Sequence, residues 1–296
     1  MKKIVLRSLI TFKVLLFVLA GFPANAQDGE PKVSVNVNYI GGPLKTRFDY
    51  PNEKFGTVSG KVHDQEGVDL DATIVFNPRV NFTYRGQLNI GRRSQFYDSN
   101  NQDQTERYSP DDNQRGGDVL YNELGLTVKL PAHLRLIVGA TYFTFNQAWR
   151  GSYTMEFTPV PSTNKVPIVQ QPPQVVNYQS HHNERFIGPV TGISFEKTVG
   201  PTRINIAGRV YPHLARSERG YGSDSVGGKY ANPTETLNSY GFEIRGVVSY
   251  PLGNKIDLNG GYQFRQVSTP KMGSVEWPVN GRLRQSGLIA GLGFRF

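Results

Sequence analysis

The stretch Val80-Asn81-Phe82-Thr83-Tyr84-Arg85-Gly86-Gln87-Leu88-Asn89-Ile90 decides how the chain is read. Val80, Phe82, Tyr84, Leu88 and Ile90 alternate with Asn81, Thr83, Arg85, Gln87 and Asn89. A strand sends successive side chains to opposite faces, so this pattern marks a strand with one apolar and one polar surrounding. Helical spacing is absent. The same period of two returns at residues 33–39, 69–76, 120–130, 134–145, 191–197, 203–213, 240–250, 256–266 and 288–296, which with 80–90 predicts about ten strands.

The connections alternate in length. Asn77-Pro78-Arg79, Pro131-Ala132-His133, Val199-Gly200-Pro201-Thr202 and Pro251-Leu252-Gly253-Asn254 are tight turns, whereas residues 41–68, 91–117, 146–186, 214–237 and 267–285 make long polar loops. Such loops exceed what compact soluble domains use. Short turns at one end and long loops at the other predict an all-β, transmembrane, antiparallel up-and-down β-barrel with periplasmic turns and extracellular loops. Twelve strands are the alternative, because residues 44–50 and 55–63, turning at Pro51-Asn52, form a further hairpin. The proline-rich tract at residues 159–173 predicts an extended, partly mobile segment in the third loop.

Composition narrows the class. The chain has 296 residues and no Cys, which excludes disulfide scaffolds, thiolate metal sites and a cysteine nucleophile. Its mean hydropathy of −0.42, with one long apolar run at the N-terminus, excludes a helical membrane protein. Lys2, Lys3 and Arg7, the apolar run at residues 14–22 and Ala24-Asn25-Ala26 read as a secretory signal cleaved after Ala26, leaving residues 27–296 as one barrel domain. Removing Lys2, Lys3, Arg7 and Lys13 lowers the Lys and Arg count from 33 to 29 against 24 acids, so the mature chain carries about +5. Export and this modest charge argue against nucleic acid as a partner.

The last strand is specific. Phe296, Phe294, Leu292, Ala290 and Leu288 share one face, and Arg295, Gly293 and Gly291 the other. This resembles the C-terminal strand of outer-membrane proteins, which implies engagement of the barrel-assembly machinery through the strand ending in Phe296. Tyr39, Phe76, Tyr142, Tyr240, Tyr250, Phe264 and Phe296 fall near strand ends on the apolar face, where aromatic girdles sit. The expectation is a monomer in the outer membrane of a Gram-negative cell, in contact with its lipid and with both mature termini periplasmic.

The opposite face carries Asp71, Glu123, Glu196, Glu243 and Asp257 against Arg85, Lys129, Arg135, Arg203, Arg209, Arg245, Arg265 and Arg295. Barrels of this size are filled by their own side chains, so a nearly plugged lumen of ion pairs is expected. Function then belongs to the loops that the wall holds.

Ten strands, five outer loops and the segments Tyr121-Asn122-Glu123-Leu124, Arg150-Gly151-Ser152-Tyr153 and Phe186-Ile187-Gly188 resemble the omptins, outer-membrane proteases; ten-stranded neisserial-type adhesins also look similar. The omptin resemblance implies an Asp-x-Asp pair in the second outer loop and an Asp-x-His pair in the fourth. Here the second loop has Asp98, Asp103, Asp111 and Asp112 without that spacing, and the fourth has Asp224 without a histidine. A displaced substitute is Asp69 and Asp71, two apart on the inward face near the outer mouth, with His213 inward at the top of the seventh strand as general base.

His181-His182 point apart on an extended chain and find no third ligand, so no metal and no cofactor is expected. His213, Ser217 and Glu218 contain the residue types of an acyl-transfer triad, as in outer-membrane lipid A deacylases, within one loop. The loops also carry a basic rim, in which Arg92, Arg93, Arg150, Arg216 and Arg219 are the candidates for gripping lipopolysaccharide phosphate. The leading expectation is a rigid scaffold whose loops bind lipopolysaccharide or an unknown external ligand, as an adhesin does. An omptin-like protease with displaced catalytic groups and a narrow porin-like channel are the alternatives, and a non-enzymatic role is preferred.

Overall fold

A computed structural model describes residues 33–49, 57–91, 94–98, 106–108, 117–155, 174–224, 229–272 and 279–296. In chain order the strands are β1 (Val33–Asp49), β2 (Thr57–Val75), β3 (Val80–Gly91), β4 (Ser94–Asp98), β5 (Glu106–Tyr108), β6 (Asp118–Lys129), β7 (Leu134–Met155), β8 (Gln174–Val199), β9 (Thr202–Asp224), β10 (Lys229–Pro251), β11 (Ile256–Met272) and β12 (Val279–Arg295). All but β4 and β5 form the wall, each antiparallel to its neighbours, and β1 pairs with both β2 and β12. The result is a closed, ten-stranded up-and-down barrel, with no helix among the described residues. At the seam the start of β1 meets the C-terminal residue, Phe296 N donating to Val33 O at 2.9 Å.

The tight turns lie together at one end. Asn77 Oδ1 accepts from the backbone N–H groups of Arg79 and Val80 at 2.9 and 2.8 Å, closing the β2–β3 connection. Ala132 and His133 both hold positive φ, 59° and 64°, in the β6–β7 turn. That geometry matches the right-handed twist of a hairpin, although neither residue is the glycine that adopts it without cost.

At the other end the expected loops are largely strand. The β1–β2 ladder continues to Asp49↔Thr57, β7–β8 to Met155↔Gln174 and β9–β10 to Ser223↔Lys229. β4 and β5 prolong the β3–β6 hairpin by pairing with β2 and β7. The hydrogen-bonded ladder thus outlasts the apolar alternation: it is made by backbone groups and needs no hydrophobic period, so the sequence there reads as loop. The same effect corrects the twelve-strand alternative. Residues 44–49 and 57–62 do pair, but as the outward continuation of β1 and β2 past a bulge between Gly42 and Leu44. The proposed leader at residues 1–26 and the proline-rich tract at 159–173 lie outside the described residues.

Facing is unambiguous along β10. Glu243 is 0% exposed and its neighbour Ile244 55%; Tyr240, Phe242, Ile244, Val248 and Tyr250 all face out, while Glu243 and Arg245 face in. Ten residues separate Tyr240 from Tyr250, which at about 3.4 Å per residue and a tilt of about 40° spans ~25 Å, the height of a membrane barrel's apolar band. Val68, Leu124, Leu126, Val138, Ile193, Ile206, Leu258 and Leu288 extend this exposed apolar surface around the wall. One polar pair interrupts it: Tyr84 lies across Gly86 and its hydroxyl donates to Asn122 Oδ1 at 2.9 Å.

Candidate functional site

The lumen is built from the inward positions, and it is layered. Near the turn end Asp257 accepts from Arg203 at 3.1 Å and Arg295 at 2.9 Å, and Arg135 pairs with Glu196 at 2.9 Å. Above them Asn259 donates to Asn36 and Asn38 at 3.1 and 3.2 Å.

The middle layer joins strands from opposite sides of the barrel. Arg245 on β10 reaches Asp69 and Asp71 on β2, each at 2.6 Å. Arg85 on β3 contacts Asp69 at 3.3 Å, Asp71 at 3.5 Å and Glu243 on β10. Glu243 also accepts from Arg265 at 2.6 Å and Arg209 at 3.3 Å, and Arg209 bonds Glu123 at 3.0 Å. Four guanidinium groups (Arg85, Arg209, Arg245, Arg265) thus meet four carboxylates (Asp69, Asp71, Glu123, Glu243), and the layer is electrically balanced. Burying such charges is tolerable only because each is paired and hydrogen-bonded.

Uncharged amides and aromatic rings complete the layer. Gln263 accepts from Arg85 at 2.5 Å and donates to Gln87 at 3.1 Å. Tyr121 donates to Glu123, meets the Tyr211 hydroxyl at 3.1 Å, and lies under Arg265 with the guanidinium carbon 3.7 Å from its ring centre. A cation over an aromatic face gains from the ring quadrupole, the more so out of water.

Toward the hairpin end the inward face turns apolar. Leu44, Val119, Phe143, Phe145, Phe186, Val190, Leu214, Val267 and Leu283 pack with the two tyrosines, Phe143 stacking on Phe186 at 4.2 Å. The expected ion pairs are therefore capped by an apolar plug that the sequence reading missed. Its signal was present, since Tyr121 shares the face of Glu123, and Phe143 and Phe145 that of Arg135.

The candidate catalytic group does not assemble. Asp69 and Asp71 lie six and four residues before the turn-end limit of β2, Val75, below the hairpin-end rim rather than at the outer mouth. Asp69 is saturated by Arg245, Arg85 and Asn38, the last at 3.2 Å. His213 is exposed rather than inward. Tyr211 pairs with Gly241 and Leu214 with Ser239, so Pro212 and His213 together oppose Tyr240. This β-bulge inverts the alternation beyond it, and Pro212, which has no N–H to give the ladder, marks the place.

The inversion also relocates Arg216. It faces inward, is buried, and bonds Glu184 at 3.1 Å beside Phe186, so it is not offered to phosphate outside the wall. Arg150 and Arg219 lie on β7 and β9 opposite Gln179 and Asn183. Arg92 and Arg93 fall outside the described residues, as do Asp103, Asp111 and Asp112. Asp98 ends β4 and Asp224 ends β9.

No protein-family model matches the chain, and no curated protein matches it in sequence. Among solved structures it is similar to the outer membrane protease OmpT from Escherichia coli, with a TM-score of 0.58 and 12% identity over 89% of this chain and 96% of that one. The translocator domain of the autotransporter NalP from Neisseria meningitidis matches at 0.39 and 11% identity, over 100% and 98% of the two chains. Neisserial surface protein A matches at 0.28 and 12% identity, over 91% and 98%. The likeness to OmpT is one of fold, and it agrees with the closed antiparallel barrel described above.

Proposed function

We propose that the chain is an outer-membrane barrel that serves as a rigid scaffold, holding its extended hairpins at the cell surface to bind lipopolysaccharide and an external ligand. The carrying observation is the contrast between the two faces of the wall. The outward face is an apolar band suited to lipid, whereas the lumen is closed by a balanced ionic layer under an apolar cap. A plug of this kind opposes a diffusion path, and carboxylates held by arginine are poor at activating water. In this reading the tight turns and both mature termini lie in the periplasm, the strand ending in Phe296 is the segment the assembly machinery engages, and the barrel works as a monomer.

Incorporation of the full mature chain into planar bilayers, with a parallel assay on basic peptides, tests the proposal. The expected result is stable insertion, no steady single-channel conductance and no cleavage. Discrete conductance steps that change in Arg245→Gln, or cleavage lost in Asp71→Asn, overturn it in favour of a channel or a protease.

A further inference from the structure

On the outward face just beyond the apolar band, β1 and its neighbours carry cations in direct cross-strand register. Lys45 on β1 is paired with Lys61 on β2 and with Arg284 on β12. One row farther from the turns, Arg47 is paired with Arg282. Residues paired across a ladder share a face with Cβ atoms about 5 Å apart, and like charges so placed destabilise a sheet. The side chains of Lys45, Arg282 and Arg284 are exposed, while Leu44, Leu283 and Gln285 between them are buried, so the cations point away from the lumen.

Among the described side chains none of these three cations is paired with a carboxylate. Arg284 instead donates to Gln266 Oε1 at 2.8 Å. The nearest acids in register flank the grid: Glu66, opposite Gly41, lies toward the turn end on β2, and Asp49 lies beyond Arg47 on β1. Sheets normally relieve a row of like charges with an opposite charge on the next strand. Here the flanking strands supply Gln266, Ser268 and Ser59.

Height selects the partner. Four residues below Arg284 on the same outward face lies Leu288, 68% exposed, followed by Leu292 and Phe296. A ligand with anionic groups at the level of Lys45 and Arg284 and hydrocarbon at the level of Leu288 matches both surfaces at once. We infer that the outward face of the β1–β12 wall is a binding site for a phosphorylated lipid of the surrounding leaflet, its phosphate held by Lys45 and Arg284 with Arg282 above. This inference rests on the outer-membrane reading and gives its lipopolysaccharide contact a location separate from the loop arginines. Guanidinium groups suit the role, since they bind phosphate oxygens by paired, charge-assisted hydrogen bonds.

The test inserts the full mature barrel into zwitterionic phospholipid vesicles containing a small fraction of lipid A, or of lipid A stripped of phosphate, and counts lipid retained per barrel. Insertion into vesicles without lipid A tests the membrane reading by itself, so the two failures are distinguishable. The expected result is retention of intact lipid A only, unaffected by inorganic phosphate, and weakened about tenfold or more in Lys45→Gln/Arg284→Gln, a change equal to roughly one lost charge-assisted contact. Equal retention of the dephosphorylated lipid overturns the inference without any variant. So do unchanged retention by a folded double variant and full competition by inorganic phosphate, the latter marking a soluble-anion site.

Discussion

Glu243→Gln is the sharpest probe of the plugged lumen. Glu243 is 0% exposed and receives three guanidinium groups, those of Arg85, Arg209 and Arg265. The substitution keeps the shape of the side chain and removes one negative charge, leaving four buried arginines against Asp69, Asp71 and Glu123. Breaking a buried pair by removing one partner costs about 3–5 kcal/mol, because the other charge stays behind uncompensated. At 1.4 kcal/mol per decade, even the lower figure is more than a hundredfold in the folding equilibrium. The assay is equilibrium urea unfolding of the barrel refolded into lipid vesicles. A second change, Arg265→Met, restores neutrality, so the double variant is expected to be more stable than Glu243→Gln alone, with a coupling energy of about 2 kcal/mol or more. If Glu243→Gln unfolds within about 0.5 kcal/mol of the parent, in the range of a neutral surface substitution, the lumen is wet enough to solvate the excess charge and the plug argument fails.

Three further outcomes follow from particular residues. Ile244→Lys, in the middle of the outward band of β10, is expected to cost about 2–4 kcal/mol in the same titration, against about 0–1 for Leu252→Lys at the turn end; equal effects refute the lipid-facing assignment. Ala132→Gly relieves a left-handed backbone at φ 59° and is expected to raise stability by up to about 1 kcal/mol, read as a shift of the urea midpoint with unchanged slope. Cysteine introduced for Ser223 near the β9–β10 hairpin tip is expected to take an impermeant label on intact cells, and cysteine for Ala132 only after the outer membrane is breached; the reverse pattern inverts the proposed orientation.

Much of the architecture was legible because period-two alternation is a local property. Each residue's face is set by its own strand and the solvents on either side, so Arg85, Glu123, Arg209, Glu243 and Arg245 were assigned to the lumen from spacing alone. The strand number and the tight turns were legible for the same reason. The hairpins beyond the apolar band were not, because the backbone ladder that extends them carries no hydrophobic period.

Which lumen charges meet is another matter. Arg85 and Glu243 are 158 residues apart, and Arg245 and Asp69 176. Their contact depends on closure and on the stagger of strands around the cylinder, which no segment encodes singly. The position of His213 and Arg216 depended on one bulge: two residues opposite Tyr240 exchanged the inside and outside of residues 214–217 on β9. Pro212 hinted at that bulge, but only the pairing with β10 decided its length. The cationic row Lys61, Lys45 and Arg284 shows the division most plainly, for its members are unremarkable in sequence and become neighbours when the first strand closes on the last.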